Sequence, residues 1–408
     1  MPDSSFTDPA PVAARLDAVG VYLREETTGG KLLLAATVLA LLWANVGSSS
    51  YDDAWSFVPL GDWASAVAGP LELQIDLAAW AADGLLALFF FVAGMEVKRE
   101  FTTGELSDRR AATLPLLAAL GGMAVPAAVA LAASGGAMAG DGAWAIPVAT
   151  DIAFALGVLA IAGSSLPAGV RALLLSMAVI DDLIAITLIA VLFTKGFDPL
   201  WLAGGLGACG LWWLLWRLRP QPPWALLWAL ALTAWVCIHA SGVHATVTGV
   251  LLGLLVPVRA DGAQESAAHR LEHRLHPWSA GVAVPVFALA AAGIPLAATG
   301  DILGNDIARG VLFGLLAGKF AGVLGGAWLA VRSGLGTLPP GVHWADLVPV
   351  ALLAGIGYTV SLLIAALSLE PADERAASAS VLVASTVAAG TAALLLRRRS
   401  AFHNEEPA

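Results

Sequence analysis

Charged residues are scarce in this chain. Asp, Glu, Lys and Arg make up 13% of its 408 residues, whereas soluble domains carry about 25%. The hydrophobic share is 58%, and the mean hydropathy is +0.80. This composition excludes an ordinary soluble domain and indicates a polytopic membrane protein. We therefore expect the chain to be surrounded by a lipid bilayer and to have no nucleic-acid partner.

Cysteine is scarce as well. Cys209 and Cys237 lie in apolar runs without CxxC spacing, which excludes a disulfide framework and argues against a cysteine metal site. Each is expected to be a small, buried packing residue. We expect no cofactor.

A signal peptide is also missing. Residues 1–30 contain neither an apolar core of about 7–15 residues nor an A-x-A-like site. We predict a cytoplasmic tail at 1–30, a single transmembrane domain at 31–397 and a second cytoplasmic tail at 398–408.

Long apolar runs fill the rest of the sequence. A helix needs about 17–25 apolar residues to cross a bilayer, and the bilayer core allows only helices or closed barrels. We predict about twelve transmembrane helices, called segments one to twelve below: 31–47, 77–97, 111–133, 143–162, 168–193, 200–217, 223–240, 244–258, 278–296, 306–330, 344–367 and 376–397.

The basic residues fix an orientation. With both termini cytoplasmic, seventeen of the 21 Lys and Arg residues fall inside and only Lys195, Arg309 and Arg375 fall outside. The remaining one, Lys319, is intramembrane. This bias follows the positive-inside rule, and it supports a multi-pass membrane protein with both termini cytoplasmic.

Four ionisable residues lie where the bilayer disfavours them. Asp151, the pair Asp181-Asp182 and Lys319 are each near the centre of a predicted segment. A charge there costs about 2.5–3.5 kcal/mol on the insertion scale, so such residues mark ion pathways, proton relays or buried pairs. Three acids and one base at a common depth predict a cation-exchange site that works by titration.

The adjacent acids cannot share one partner. Consecutive helical residues point about 100° apart, so one acid should face an ion cavity and the other a separate partner such as Lys319. Two close carboxylates in a low dielectric cannot both ionise at low cost, so we expect coupled titration. A packing-only Asp–Lys pair would account for just one of the two.

Two segments carry helix breakers at their centres. Pro147 precedes Asp151 in segment four, and Gly355, Gly357 and Thr359 mark the middle of segment eleven. Each feature alone is compatible with a kink or close packing. Their central positions among segments 3–5 and 10–12 instead favour two broken helices of a transporter. Asp151 would then offset helix N-termini, and Lys319 would offset C-termini.

Several motifs together resemble the bacterial NhaA-type sodium/proton antiporters, in the same order from about residue 20 to 395. They are 94–100 (GMEVKRE), 149–157 (ATDIAFALG), 180–183 (IDDL), 242–245 (GVHA), 270–273 (RLEH), 275–277 (LHP) and 355–359 (GIGYT). The resemblance implies an all-α fold of twelve helices, in which segments 3–5 and 10–12 are inverted repeats crossing at the broken helices.

The resemblance also implies a function, that of a secondary transporter and not an enzyme. It would lie in the bacterial cytoplasmic (inner) membrane and extrude Na⁺ or Li⁺ in electrogenic, pH-activated exchange for H⁺, supporting pH regulation and salt tolerance. Asp182 would be the principal Na⁺ and H⁺ ligand, and Asp181 either its partner or the counter-ion of Lys319. Thr150 and Asp151 would line the site. Lys319 would stabilise the assembly or carry a proton.

A further group would control the pH response. By resemblance it comprises Glu96, Glu100, Glu272, His273 and His276 at the cytoplasmic mouth, together with His244. Histidine titrates near neutral pH, although charges at a helix end also occur simply because they are solvated.

The sequence departs from the family pattern in three places. His269 stands where a Lys is found, and Ala291 where an Asn is common. Phe320 follows Lys319 where Pro is usual, so we expect a straighter backbone there. None of these changes touches Asp181 or Asp182.

Other functions fit less well. An antiporter for another monovalent cation such as K⁺ is the nearest alternative. An intramembrane aspartyl protease would need a GxGD signature, which is absent. Twelve segments and the lack of an evident aromatic pocket in the sequence argue against a retinal-binding pump, and a cation channel would not need paired titratable acids near two broken helices. The external stretch 48–76 would form either a β-hairpin for homodimer contact or an interfacial loop.

Overall fold

The structure is a computed structural model that describes residues 26–61, 73–219, 221–259, 265–295, 300 and 302–405. Within those residues every regular element is helical and no strand occurs. The predicted all-α fold class is therefore confirmed.

The α-helices are numbered here in chain order. They are α1 (Glu26–Val46), α2 (Ser48–Trp55), α3 (Leu86–Thr103), α4 (Arg109–Ala133), α5 (Ile152–Ala162), α6 (Ala168–Leu192), α7 (Pro199–Leu218), α8 (Trp224–Ala240), α9 (Thr246–Leu255), α10 (Ala267–Trp278), α11 (Val284–Ala291), α12 (Asp306–Phe313), α13 (Lys319–Arg332), α14 (Trp344–Leu353), α15 (Tyr358–Ser368) and α16 (Pro371–Glu405). A short α-helical turn at Leu77–Ala79, left unnumbered, and a π-helical turn at Trp80–Leu85 lead into α3. A 3-10 helix at Ala143–Val148 precedes α5, and π-helical turns join α10 to α11 and α12 to α13.

Each predicted segment coincides with helix in the structure. Among the described residues, eight helices are long and apolar enough to cross a membrane, and the bent pair α14–α15 adds a ninth. Two shorter apolar helices, α8 and α9, correspond to segments seven and eight. The protein is thus a multi-pass helical membrane protein, while the count of twelve crossings stays a prediction.

Side-chain caps set several helix starts. Asp198 accepts the backbone N–H groups of Leu200 and Trp201, and Pro199 occupies the first turn of α7, where a missing N–H costs nothing. Asn305 caps α12 in the same way through Ala308. These short polar positions divide the apolar runs into separate helices.

Glycine allows α4 and α13 to cross in close contact. A Cβ on Gly121 would lie 2.3 Å from the carbonyl oxygen of Gly322, and one on Gly326 would lie 2.0 Å from that of Leu117. Only small residues permit such a backbone approach. The crossing joins segment three to segment ten and holds Lys319 at a fixed depth.

Large apolar side chains cover much of the outer surface. Leu200 of α7 is 80% exposed, and Leu232 of α8 and Leu39 of α1 are more than half exposed. Exposed leucines on helices of this length are expected of a surface that contacts lipid.

The described part of the stretch 48–76 is helical mainly at its start. Residues 48–55 are α2, whose Tyr51 hydroxyl donates to the carbonyl of Leu289 at 2.8 Å. No strand is present at 48–61 or 73–76, and 62–72 lie outside the described residues. The hairpin alternative therefore has no support in the described part of this stretch.

The predicted tails differ from the helix ends. Helix α1 begins at Glu26, so residues 26–30 of the predicted N-terminal tail are helical, and residues 1–25 lie outside the described residues. Helix α16 continues to Glu405 through most of the stretch predicted as a C-terminal tail. Contacts of Arg399 and His403 with Asp346 explain why this end stays helical.

Candidate functional site

Segment four is interrupted at its centre. The 3-10 helix Ala143–Val148, which contains Pro147, ends at an extended Ala149, and α5 begins only at Ile152. Proline removes a backbone donor and cannot continue a regular α-helix. The unwound backbone at 149–151 carries Thr150 and Asp151.

Segment eleven is interrupted at the same depth. Helix α14 ends at Leu353, α15 begins at Tyr358, and the two are bent by 42°. Gly355 and Gly357 lie in the break. A Cβ on Gly355 would come within 2.6 Å of the Leu315 carbonyl oxygen, so the break also needs glycine for close packing.

The two breaks are hydrogen-bonded to each other. The N–H of Asp151 donates to the carbonyl of Ile356 at 2.6 Å, and Ser361 Oγ donates to that of Ile146 at 2.6 Å. Thr150 Oγ1 lies 3.0 Å from the Ala354 carbonyl oxygen. Backbone groups freed by unwinding are thus satisfied across the crossing, as a water-free environment requires.

Asp151 lies between two helix N-termini. Its Oδ1 accepts the Phe154 N–H of α5 at 2.9 Å, and its Oδ2 accepts the Thr359 N–H of α15 at 3.1 Å. Each helix N-terminus is equivalent to about half a positive charge. The two ends together offset one carboxylate.

Asp181 is ion-paired with Lys319. Nζ of Lys319 lies 2.8 Å from Asp181 Oδ2 and 2.9 Å from Thr150 Oγ1, and neither charged side chain is exposed. Thr150 Oγ1 also lies 2.9 Å from Asp181 Oδ2. Within the described residues, the hydrogen bonds of Lys319 go to the side chains of Asp181 and Thr150 and not to helix carbonyls. Lys319 is connected to the C-terminal end of α14 only indirectly, because the Thr150 hydroxyl also contacts the Ala354 carbonyl oxygen.

Asp182 points away from this pair. It is 2% exposed and lines a cavity of about 300 Å³ that also contacts Ile152 and Ala153 of segment four. Within the described part of the chain, Oδ1 of Asp182 has no hydrogen-bond partner, and neither has Oδ1 of Asp181. One acid thus faces Lys319 and its neighbour faces the cavity.

The cavity leads to the predicted cytoplasmic end. Its wall is formed by α1, α3, α5, α6 and the α10–α11 region, and it includes Glu96, Arg99, Glu272, His273 and His276. Arg99 and Glu272 form a 2.6 Å ion pair in this wall. The cavity of Asp182 therefore contains four of the six residues predicted for the pH response. It also contains His269, one of the three positions that differ from the family pattern.

Two residues of that predicted group lie elsewhere. Glu100 accepts a hydrogen bond from the Ser176 hydroxyl at 2.7 Å, outside the cavity wall. His244 lies near the predicted external end, where its Nε2 is 3.2 Å from Asp83. The structure therefore does not gather this group into a single cluster.

Some residues that bond to the site, or to a predicted site residue, were not singled out from sequence. Ser361 bonds across the two breaks and Ser176 bonds to Glu100, but both are small hydroxyl residues in apolar runs and give no sequence signal of their own. Asp83, which contacts His244, does give one, because it is an acid inside a predicted segment. Arg99 follows Glu96 on the same helix face, at a spacing that favours contact.

The departures from the family pattern lie close to this site or in the core. Because Phe320 replaces the usual proline, a straighter backbone is expected at Lys319. A π-helical turn at Gly314–Gly318 directly precedes Lys319, so the backbone on that side is not a regular α-helix. Helix α13 nevertheless continues through Lys319 and Phe320 without a break. Ala291 ends α11 and packs against the main core.

Known proteins resemble the whole chain. The sequence model of the family described as "Na+/H+ antiporter 1" matches residues 21–396. The "Na(+)/H(+) antiporter NhaA 1" of Saccharopolyspora erythraea is 51% identical over 385 residues, covering 93% of this chain and 91% of that protein. The NhaA protein of Nocardia farcinica is 49% identical, covering 94% and 91%, and "NhaA 2" of Rhodococcus jostii is 47% identical, covering 94% and 93%. The chain therefore belongs to the Na⁺/H⁺ antiporter 1 family.

Proposed function

We propose that this protein exchanges Na⁺ or Li⁺ for H⁺ across the bacterial inner membrane, with both termini cytoplasmic. In this proposal the cation and the proton compete for Asp182, and Asp181 is the coupled partner of that acid. Thr150 and Asp151 belong to the same site through their contacts with Asp181 and the two broken segments.

A count of buried charges carries the proposal. Asp151 is offset by the two N-termini of α5 and α15, and Asp181 is offset by Lys319. Asp182 has no comparable partner among the described residues. A buried, uncompensated carboxylate is strongly disfavoured, so Asp182 needs either a proton or a cation. Because a proton and a cation can each neutralise this carboxylate, the two compete for Asp182.

Competition becomes exchange when access alternates. With the cavity open to the cytoplasm at alkaline pH, Asp182 loses its proton and binds Na⁺. The crossing then rearranges to open outward, external protons displace the cation, and the protonated protein returns. The breaks in segments four and eleven are the natural places for this rearrangement, because their backbones are held by only a few hydrogen bonds.

Electrogenic exchange requires more than one proton for each Na⁺. Asp182 supplies the first. The Asp181–Lys319 pair is the second titratable unit at this depth. A cation that approaches Asp181 Oδ1 would weaken the ion pair between Asp181 and Lys319, and Lys319 would then lose its proton more easily. We propose that the second proton belongs to this pair.

The pH response is assigned to the cavity wall. Glu96, Glu272, His273 and His276 lie along the route between the cytoplasm and Asp182. Protonated histidines there would repel an entering cation, whereas neutral histidines and ionised acids would attract it. Activation at alkaline pH follows from this arrangement.

Everted membrane vesicles test the proposal. A pH gradient is formed by respiration, and Na⁺ is then added. Wild-type protein should dissipate the gradient, and Asp182→Asn should not. Asp198→Asn is the matched control, since it replaces an acid by another good helix cap at the start of α7. Undiminished exchange in Asp182→Asn would refute the site. The same assay with K⁺ separates the sodium antiporter from the potassium alternative.

A further inference from the structure

Two histidines and a buried carboxylate converge at the predicted cytoplasmic end, away from the ion cavity. Asp346 lies in the first turn of α14 and is fully buried. His343 caps that helix, and His403 comes from the last turns of α16. One carboxylate oxygen of Asp346 and one ring nitrogen of each histidine all lie within 4.8 Å of one another.

Their spacing suits a tetrahedral metal ion. Two ligands held at about 2.0 Å from Zn²⁺ at a tetrahedral angle lie about 3.3 Å apart. Oδ2 of Asp346 is 3.3 Å from His403 Nε2 and 3.6 Å from His343 Nδ1. Both separations are close to this tetrahedral value.

The carboxylate is already oriented by other groups. Nε of Arg399 donates to Asp346 Oδ1 at 2.8 Å, and the His343 N–H donates to Oδ2 at 2.8 Å. Such outer contacts fix the direction of a metal ligand and are typical of metal sites. Oδ2 also lies within 3.6 Å of a ring nitrogen of each imidazole.

A second grouping of the same residue types provides a comparison. Near the predicted external end, Asp83 lies 3.2 Å from His244 and 3.7 Å from His239. His239 stacks on Trp235 at 5.5 Å between ring centroids, which holds its ring in a packing contact. Two histidines beside an aspartate therefore do not by themselves produce convergent ligand atoms.

We propose that His343, Asp346 and His403 form a site for a divalent transition-metal ion of the Zn²⁺ type, with water as the fourth ligand. Imidazole and carboxylate are ligands that Zn²⁺ accepts in this number. His343 is more than half exposed and gives access from the predicted cytoplasmic side.

The metal would join two helices that already contact each other through Asp346, Arg399 and His403. Helix α14 is the first half of broken segment eleven and leads directly into the break at 354–357, while α16 is segment twelve. A bound ion would fix the start of α14 to the end of α16. The site thus offers a way for cytoplasmic metal to restrain one of the two broken segments.

Zinc binding by the purified full-length protein in detergent tests this proposal. Zn²⁺ is titrated in competition with a chelating dye, first with wild type and then with His343→Ala and His403→Ala. Loss of one of three ligands should weaken zinc binding by more than about 100-fold, beyond the range given for loss of an outer contact. His239→Ala, which alters the comparison cluster, should leave the affinity within about twofold of wild type.

Melting temperature provides the second measurement. Zn²⁺ should raise the melting temperature of wild type and of His239→Ala, but not that of His343→Ala, because a ligand stabilises only the state that binds it. His343 is exposed, so its replacement should not prevent folding. Equal affinity in wild type and His343→Ala, or no zinc bound to wild type, would overturn the proposal and leave the cluster as an ion pair between Asp346 and Arg399.

Discussion

Asp346 and Asp182 are both buried carboxylates in apolar helices, but their surroundings differ. Asp346 is contacted by Arg399, by His403 and by the His343 backbone N–H at 2.8–3.1 Å. Asp182 lines a cavity, and within the described residues its Oδ1 meets no donor. Burial alone therefore does not identify an exchange site. In our proposal, the feature that distinguishes the exchange site is a buried carboxylate without a compensating positive charge among the described residues.

Lys319→Met should have the largest effect on stability among the variants considered below. It removes the only side-chain cation paired with Asp181 in the described structure and leaves that acid buried without a counter-ion. Breaking a buried pair in this way costs about 3–5 kcal/mol. Thermal unfolding in detergent measures the loss. The double variant Lys319→Met/Asp181→Asn should recover part of it, and a double variant no more stable than the single one would contradict the pairing.

Asp346→Asn should have an intermediate effect. It keeps the size of the side chain but removes the charge that Arg399 and His403 contact. A hydrogen bond to a charged group contributes about 1.5–3 kcal/mol, and the melting temperature should fall accordingly. Arg399→Gln removes the same ion pair from the side of the arginine, so it should lower the melting temperature through the same lost interaction. A double variant that shows the sum of the two losses would contradict direct coupling.

Arg99→Gln should have the smallest effect on stability. Arg99 is 41% exposed and pairs with Glu272 in the cavity wall, and an exposed ion pair contributes about 0–1 kcal/mol. Its effect should appear in the pH profile of exchange in everted vesicles. Loss of a positive charge makes the acidic wall retain protons to higher pH, so activation should move to more alkaline pH. Arg217→Gln, on α7 outside the cavity, is the control.

Much of the fold follows from local sequence. Apolar runs predict the helices because a bilayer leaves the backbone no other partner, and Pro147 and Gly355–Gly357 predict the breaks because they weaken a helix wherever they occur. The separation of Asp181 from Asp182 follows from the 100° turn between neighbours on a helix. The structure agrees with each of these, and it places Lys319 against Asp181.

Other features depend on tertiary contacts that no local pattern encodes. Asp346 and His403 are 57 residues apart, and only the packing of α14 on α16 brings them together. His244 and Glu272 both match motifs of the family, yet the chain folds them to opposite ends. The direction of each buried carboxylate likewise depends on which helix lies beside it.

Proton release on sodium binding tests the role of Asp182 most directly. Purified protein in weakly buffered detergent at alkaline pH is mixed with Na⁺, and the pH is followed with an indicator. Wild type should release protons, and Asp198→Asn should release as many. Asp182→Asn should release none, because the cation and the proton compete for that carboxylate. Wild-type release from Asp182→Asn would contradict the account.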